Sequence, residues 1–282
     1  MGAFGGTPVR DALDGAITAI SAAGCETPRL DAEVLLAHVL GVERARLLTD
    51  RDLEVAGAAV HEFQNAVRRR SVEREPVAYI VGGKGFRHVE LHVDRRVLIP
   101  RPDSELLVEV GVERLGQGAR VLDLGTGSGA IALALKQERD DLDVTGADRS
   151  PDALDVAAGN GARLGLEVRW LRSDLLDGLG DEFDAVLANL PYVAERERAT
   201  LAPEILRHEP AEALFAGPDG LDAIRALLAQ AASRPRLRLL ALEVGAGQAE
   251  TTVELARAAG FEDVVSKRDL AGIERVVIAE RE

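Results

Sequence analysis

In the first quarter of the chain, apolar residues recur at helical spacing: Leu13, Ile17 and Ile20, then Leu30, Val34, Leu35 and Val39, then Val60, Phe63 and Val67. Thr7-Pro8 and Thr27-Pro28 precede the first two stripes, which predicts a hydroxyl at each N-cap and proline at the first helical position. The third stripe runs into Arg68, Arg69 and Arg70, read as a solvated helix end favoured by the C-terminal dipole, with a nucleic-acid contact as the alternative. Residues 1–75 are therefore expected to form a small helical domain. Over residues 76–100 the stretch "AYIVGGKGFRHVELHVDRRVLIP" alternates apolar and polar positions around Gly82, Gly83 and Gly85, and predicts a β-hairpin linker.

Beyond it, a loop capped into a helix near Asp103 or Ser104 leads into regular alternation. Strands are expected at 120–124, 144–148, 168–171, 185–189, 237–244 and 276–279, with helices at 131–136, 153–164, 224–232 and 251–259. This order implies an α/β fold over residues 101–282, a mostly parallel, doubly wound sheet with helices on its faces.

Composition narrows the class. The 282 residues are 46% hydrophobic, enough for a substantial core. With 48 acidic against 34 basic residues and a net charge of −14, a broad phosphate-binding footprint is not expected, and no direct nucleic-acid binding is predicted. Cys25, the single cysteine, cannot form an internal disulfide and reads as structural. "MGAFGGTPVR" lacks the apolar core of a secretion signal, so the cytoplasm is the expected compartment. No run approaches the roughly 20 apolar residues of a membrane helix, so no membrane association is expected. The five histidines, His38, His61, His88, His92 and His208, show no metal-ligand spacing.

The chemistry lies in "VLDLGTGSGAIALAL", which places Gly125, Gly127 and Gly129, with Thr126 and Ser128 between them, in a strand-to-helix turn where backbone can approach a ligand. Such a turn serves nicotinamide, flavin and S-adenosylmethionine folds alike. Asp148, ending the next strand, is placed to accept from both ribose hydroxyls of a nucleoside. Asp123, immediately before the loop, would repel a pyrophosphate but tolerate a cofactor bearing an amino group and a sulfonium. Asp174 and Leu175, in "RSDLL", could hold an adenine with an acceptor and an apolar wall. Each acid alone could equally be a cap or loop carboxylate. One at each successive strand end, along the edge where open α/β sheets bind ligands, points to S-adenosyl-L-methionine.

"VLANLPYVAE" then supplies Asn189, Leu190, Pro191 and Tyr192 at another strand end. An amide or exocyclic amino nitrogen is a poor nucleophile, and methylating it requires holding it in line with the methyl group at about 3 to 3.5 Å. The Asn189 side-chain oxygen and the Leu190 carbonyl can accept its two N–H groups, with Pro191 keeping Leu190 extended and Tyr192 stacking on the planar group. No base of tuned pKa is needed.

In order along the chain, "EPVAYIVGG", "LIPRPDSELLVE", "VLDLGTGSGAIALAL", "ANLPYV", "HEPAEALFAGPDGL", "LEVGAGQ" and "RDLAGIERVV" follow the helical segment. Over essentially its whole length the chain resembles the release-factor glutamine methyltransferases, the HemK/PrmC family. The resemblance implies that Gly125, Thr126, Gly127, Ser128, Gly129, Asp148, Leu175 and Asn189 contact S-adenosylmethionine and that Asn189 to Tyr192 hold a glutamine. It implies a Rossmann-like methyltransferase domain at 101–282 and a substrate, the glutamine in the Gly-Gly-Gln loop of class I peptide chain release factors, docked with help from the N-terminal helices of a monomer. Leu190 departs from the family's usual proline, which costs stiffness but not the carbonyl; Leu175 stands where some relatives carry an aromatic. Asn-Leu-Pro-Tyr also occurs in rRNA adenine dimethyltransferases, so an adenine N6-methyltransferase on RNA or DNA stays open, as does a non-catalytic cofactor-binding module.

Overall fold

The computed structural model describes residues 6–50 and 52–282. The first five positions of "MGAFGGTPVR" lie outside the described residues. The chain divides into two compact units, Met1–Gly82 with Ala202–His208, and Gly83–Leu201 with Glu209–Glu282.

The first unit runs β1 (Thr7–Pro8), α1 (Val9–Ala22), α2 (Pro28–Leu40), α3 (Arg44–Thr49), β2 (Glu54–Val55), α4 (Ala58–Ser71) and α5 (Val77–Val81). β1 and β2 pair antiparallel, Thr7 opposite Val55. α1 buries Val9, Leu13, Ala16 and Ile20 against Leu35 and Leu36 of α2 and Phe63 and Ala66 of α4. The buried face of α2 is rotated from the expected stripe: Leu30 is 42% exposed while Ala32, Leu35 and Leu36 are fully covered. Neither threonine caps a helix with its hydroxyl. Pro8, not Thr7, occupies the N-cap of α1, and the Thr27 hydroxyl donates to the Asp31 carboxylate at 2.8 Å.

Asp31 explains that preference. It is buried, and its Oδ2 accepts from Arg70 Nε at 2.6 Å. The Arg70 guanidinium also reaches Glu204 Oε1 at 3.2 Å, in the helix Pro203–His208, and Arg74 donates to Glu204 Oε2 at 2.7 Å. The arginine run is thus a solvated helix end only at Arg68. Arg70 is buried, Arg69 is held by both oxygens of Glu75, and Arg68 pairs with Glu73. Each cation has a carboxylate partner, and those of Arg70 are distant in sequence.

Residues 77–81 form a helix, not a strand, between Pro76 at its N-cap and Gly82 in the left-handed region at its C-cap. The hairpin is confined to β3 (Gly83–Phe86) and β4 (Val89–His92) and belongs to the second unit. There follow a 3-10 turn at Pro102–Ser104, α6 (Glu105–Arg114), β5 (Arg120–Leu124), α7 (Ala130–Glu138), β6 (Asp143–Asp148), α8 (Pro151–Leu164), β7 (Arg169–Arg172) and β8 (Ala185–Ala188). Beyond the Pro203–His208 helix, α9, come α10 (Asp222–Ala231), β9 (Leu239–Glu243), α11 (Ala249–Ala258), β10 (Asp263–Arg268) and β11 (Glu274–Glu280). Ser104 reaches the N-cap of α6 without capping it.

The seven-stranded sheet has the order β10-β11-β9-β8-β5-β6-β7. β7, β6, β5, β8 and β9 run parallel; β11 is antiparallel to β9 and β10 to β11. β8 is buried at all four positions, as expected of a central strand covered on both faces. Leu122, Val186, Leu240 and Val277 pack with Ile224, Leu227 and Leu228 of α10 and Ala256 of α11. The expected α/β doubly wound fold is borne out. β10, not anticipated, is an edge strand with only Val264 buried, too polar to stand out from a loop. Because β5 is flanked by β6 on one side and β8 on the other, the loops after β5 and β8 diverge and open a crevice at the carboxyl edge. No helix among the described residues is long and apolar enough to cross a membrane.

Candidate active site

The loop after β5 is fixed from beneath. Gly125 N and Thr126 N donate to Ala147 O at 2.8 and 3.0 Å, tying the turn to β6. Asp123, 1% exposed, accepts at Oδ2 from the Thr126 hydroxyl at 2.5 Å and from Ala132 N at 3.0 Å. Asp148 closes the other side, taking Gly127 N at 3.0 Å on Oδ2 and Ser150 N at 2.9 Å on Oδ1. Gly125, Gly127 and Gly129 have φ of +73, +54 and +83°, a conformation that favours glycine at all three.

Above this loop lies a cavity of about 430 Å³. Gly125, Gly127, Asp148, Asp174 and Leu175 line it, and so do Asn189, Leu190 and Pro191. The other candidates lie outside its lining. Asp123, Thr126 and Ser128 are buried beneath the loop, and Gly129 abuts Leu133 and Trp170, whose atoms would lie 3.0 Å from a Cβ placed there. Tyr192 donates its hydroxyl to Glu243 Oε1 at 3.2 Å. The Leu190 side chain is 6% exposed and belongs to the hydrophobic core, with Cδ2 3.2 Å from where a Gly125 Cβ would stand. At 190 this chain thus spends its side chain on packing beneath the glycine turn.

Several participants escaped the sequence reading. Asn189 Nδ2 donates to Ser104 Oγ at 2.9 Å, and Ser104 Oγ donates to Glu243 Oε2 at 2.6 Å. Gln248 Nε2 donates to Tyr192 O at 2.9 Å, while Val193 bridges in parallel to Phe215. At Gly220, φ +79°, a Cβ would meet Tyr192 O at 2.1 Å, so the "GPDG" turn presses directly on the backbone after Pro191. The sequence marks Ser104 only as a cap, and Gly220, Glu243 and Gln248 lie in stretches that carry only the family resemblance; their partners are far away in sequence, so nothing local assigns them these contacts.

Burial pushes the Asp123 carboxyl up to about 7, with the Asp148 charge adding to it and the bonds from Thr126 and Ala132 opposing it. Burial does the same for Glu243, likewise to about 7. Between the ordinary carboxyl range and about 7, these groups hold protons in the folded chain that the unfolded chain has released. Stability therefore falls as pH rises through that window, by an amount on the order of 4 kcal/mol for Asp123. Urea midpoints should be lower at pH 8 than at pH 5, and Asp123→Asn should shrink the difference; an unchanged difference would refute this account of Asp123.

The cavity suits a nucleoside joined to an amino acid. Its floor is bare backbone at Gly127, where a Cβ would meet no side chain, Asp148 offers two carboxylate oxygens, and Leu175 supplies an apolar wall. Asp123 Oδ1, buried beneath the loop, has no hydrogen-bond partner among the described residues, an acceptor suited to a water or an amino group and hostile to a diphosphate. The strand order, counted within the sheet as 3-2-1-4-5-7-6, also departs from the 3-2-1-4-5-6 of dinucleotide-binding folds by its antiparallel last strand.

Fold and site together define an S-adenosyl-L-methionine-dependent methyltransferase. Residues 11–82 match the family model described as the PrmC N-terminal domain and residues 102–255 that of the methyltransferase small domain. The chain is 40% identical over 277 residues to the release factor glutamine methyltransferase of Deinococcus radiodurans, covering 97% of this chain and 98% of that one, and 38% identical over 281 residues to that of Mycolicibacterium smegmatis, covering 98% of each. It belongs to the release factor glutamine methyltransferase family. Among solved structures, a methyltransferase from Pyrococcus furiosus superposes with a TM-score of 0.53 at 17% identity, over 70% of this chain and 91% of that one. The T. thermophilus 16S rRNA N2 G1207 methyltransferase, solved with AdoMet and guanosine, gives 0.51 at 23%, over 71% and 50%. These two likenesses concern the fold alone.

Proposed function

We propose that this chain transfers the methyl group of S-adenosyl-L-methionine to the side-chain amide nitrogen of the glutamine in the Gly-Gly-Gln loop of class I peptide chain release factors. The observation that carries this reading is the tether on Asn189. With Nδ2 engaged by Ser104, the amide oxygen is the end left for a substrate N–H. Leu190 O supplies the second acceptor, and Pro191 restricts Leu190 to extended conformations. When bound, the cofactor supplies an electrophilic methyl carbon on sulfur. Gly125, Gly127, Asp148, Asp174 and Leu175 hold it, while Asp123, Thr126, Ser128 and Gly129 shape the loop that does so. Tyr192, anchored by its hydroxyl, covers the planar amide. The nitrogen sheds its proton after transfer, and no group in the chain has to remove it beforehand.

The domain roles follow the same reading: residues 1–75 help dock the protein substrate, residues 76–100, which hold a short helix and then the hairpin, link, and residues 101–282 carry the chemistry in a cytoplasmic monomer. Neutralisation of Arg68, Arg69 and Arg70 by carboxylates weighs against a nucleic-acid substrate, because the densest cationic run has little charge left for phosphates. Mass spectrometry of a release factor incubated with the protein and labelled cofactor tests the proposal. One added methyl group on the glutamine of the Gly-Gly-Gln peptide is expected; incorporation into RNA and not into protein would overturn it.

A further inference from the structure

Behind the cavity wall, three elements bring Ser104, Glu243 and Tyr192 to the back of Asn189. Glu243 is 2% exposed at the end of β9 and Ser104 is 3% exposed in the 3-10 turn before α6. The hydrogen-bond directions are set by proton counting. A serine hydroxyl has one proton, and Ser104 gives it to Glu243 Oε2 at 2.6 Å. Toward Asn189 it can then only accept, which requires the amide to present Nδ2, at 2.9 Å. The other carboxylate oxygen is occupied by the Tyr192 hydroxyl at 3.2 Å, a phenol that burial and the Glu243 charge keep protonated.

We infer that Glu243, acting through Ser104, is the positioning residue that decides which end of the Asn189 amide faces the substrate. The inference rests on the proposed amide methylation. An asparagine side chain is nearly symmetric in shape, and packing alone discriminates poorly between its two orientations. A flipped Asn189 would aim its NH2 at the NH2 of the glutamine, donor against donor, and its oxygen at a hydroxyl oxygen whose proton is already committed. A carboxylate accepts at both oxygens and so holds the chain of bonds in one direction, whereas a protonated carboxyl must donate at one of them and frees the direction to reverse.

The groups facing Glu243 are few. Asp103, on the same turn as Ser104, disfavours its charge, and Arg275 of β11 favours it while being shared with Asp103 at 3.3 Å and Asp269 at 2.9 Å. Burial outweighs Arg275, so Glu243 takes up a proton near pH 7. Transfer is therefore expected to decline as pH falls through about 7, with kcat rather than cofactor affinity carrying the change.

The test compares wild-type protein with Glu243→Gln, Ser104→Ala and Ser104→Thr on a release factor, reading kcat, KM and the kcat pH profile. Glu243→Gln is expected to lose about 100-fold in kcat, the scale of a misplaced reacting group, and to lose the inflection near 7. Ser104→Ala should match that loss and Ser104→Thr, which keeps the hydroxyl, should recover most of it. Wild-type kcat in Ser104→Ala, or an inflection that persists in Glu243→Gln, would overturn the role of Glu243 while leaving the methylation intact. Should Glu243→Gln fail to fold, the Ser104 pair decides alone. Wild-type protein that places no methyl on glutamine defeats the functional reading itself.

Discussion

Asn189→Ala is expected to lower kcat by about 10²- to 10³-fold, the usual cost of removing one preorganised dipole from a reacting centre. Alanine removes both the oxygen proposed to accept a glutamine N–H and the amide tethered to Ser104, while the glycine loop and Asp148 stay as they are. Cofactor affinity measured by calorimetry should then change far less than kcat, which separates loss of alignment from loss of the cavity. Asn189→Asp sharpens the test. It has the shape of asparagine and more acceptors, but sets a carboxylate oxygen against Ser104 Oγ, whose proton goes to Glu243. If an acceptor at 189 were all that mattered, the aspartate would be active. We expect it to be nearly as impaired as the alanine, and activity close to wild type in either variant would refute the alignment argument.

The largest effect on stability is expected at Arg70. Arg70→Ala strands Asp31, which is 6% exposed and whose Oδ2 has Arg70 Nε at 2.6 Å, and leaves Glu204 with Arg74 alone. Breaking a buried pair by removing one partner costs about 3 to 5 kcal/mol, a large part of the roughly 5 to 15 kcal/mol that holds a typical native chain together. Arg70→Met combined with Asp31→Leu should recover much of the loss, since the desolvated charge disappears with its partner. Urea unfolding followed by circular dichroism measures both. A midpoint unmoved in Arg70→Ala would mean that the cluster is solvated after all. Trp170, the single tryptophan, lies in the second unit, so its fluorescence reports that unit while circular dichroism reports both.

What the sequence disclosed was what neighbours in sequence determine. The strand, glycine turn and helix from Arg120 to Glu138 declare themselves because every constraint on them lies within a few residues, and the acids at the ends of β5 and β6 come with the same local pattern. Local rules fail where a distant partner competes. The Thr27 hydroxyl abandons its cap for Asp31, itself drawn to Arg70 across 39 residues. Ser104 abandons the start of α6 for Glu243, 139 residues away. α5 was hidden for a different reason: five mostly apolar residues fit a strand as well as a buried helical turn, and only Pro76 and Gly82 at its ends carried the distinction. Of the cavity lining, Gly125, Gly127, Asp148, Asp174, Leu175 and Asn189 to Pro191 were legible, because each stands at or just past the end of a strand with a local pattern; Val97, Leu98 and the stretch from Pro210 to Gly217 were not, because only the folded chain brings them over the sheet edge. Those that orient Asn189 from behind were not, because their relation exists only once the sheet has closed.

The excursion of residues 202–208 into the helical unit has a practical consequence for dissecting the enzyme. A chain begun at Gly83 would keep α9 but lose Arg70 and Arg74, so Glu204 would forfeit both guanidinium groups and His208 its bond to Glu73 O. The orphaned turn sits a dozen residues past Tyr192, within the stretch that returns to Glu209 and its grip on Ile99 N and Arg101. Severing the front of this protein is therefore not a neutral trimming, and poor turnover by such a fragment would say as much about a slackened loop as about a missing docking surface.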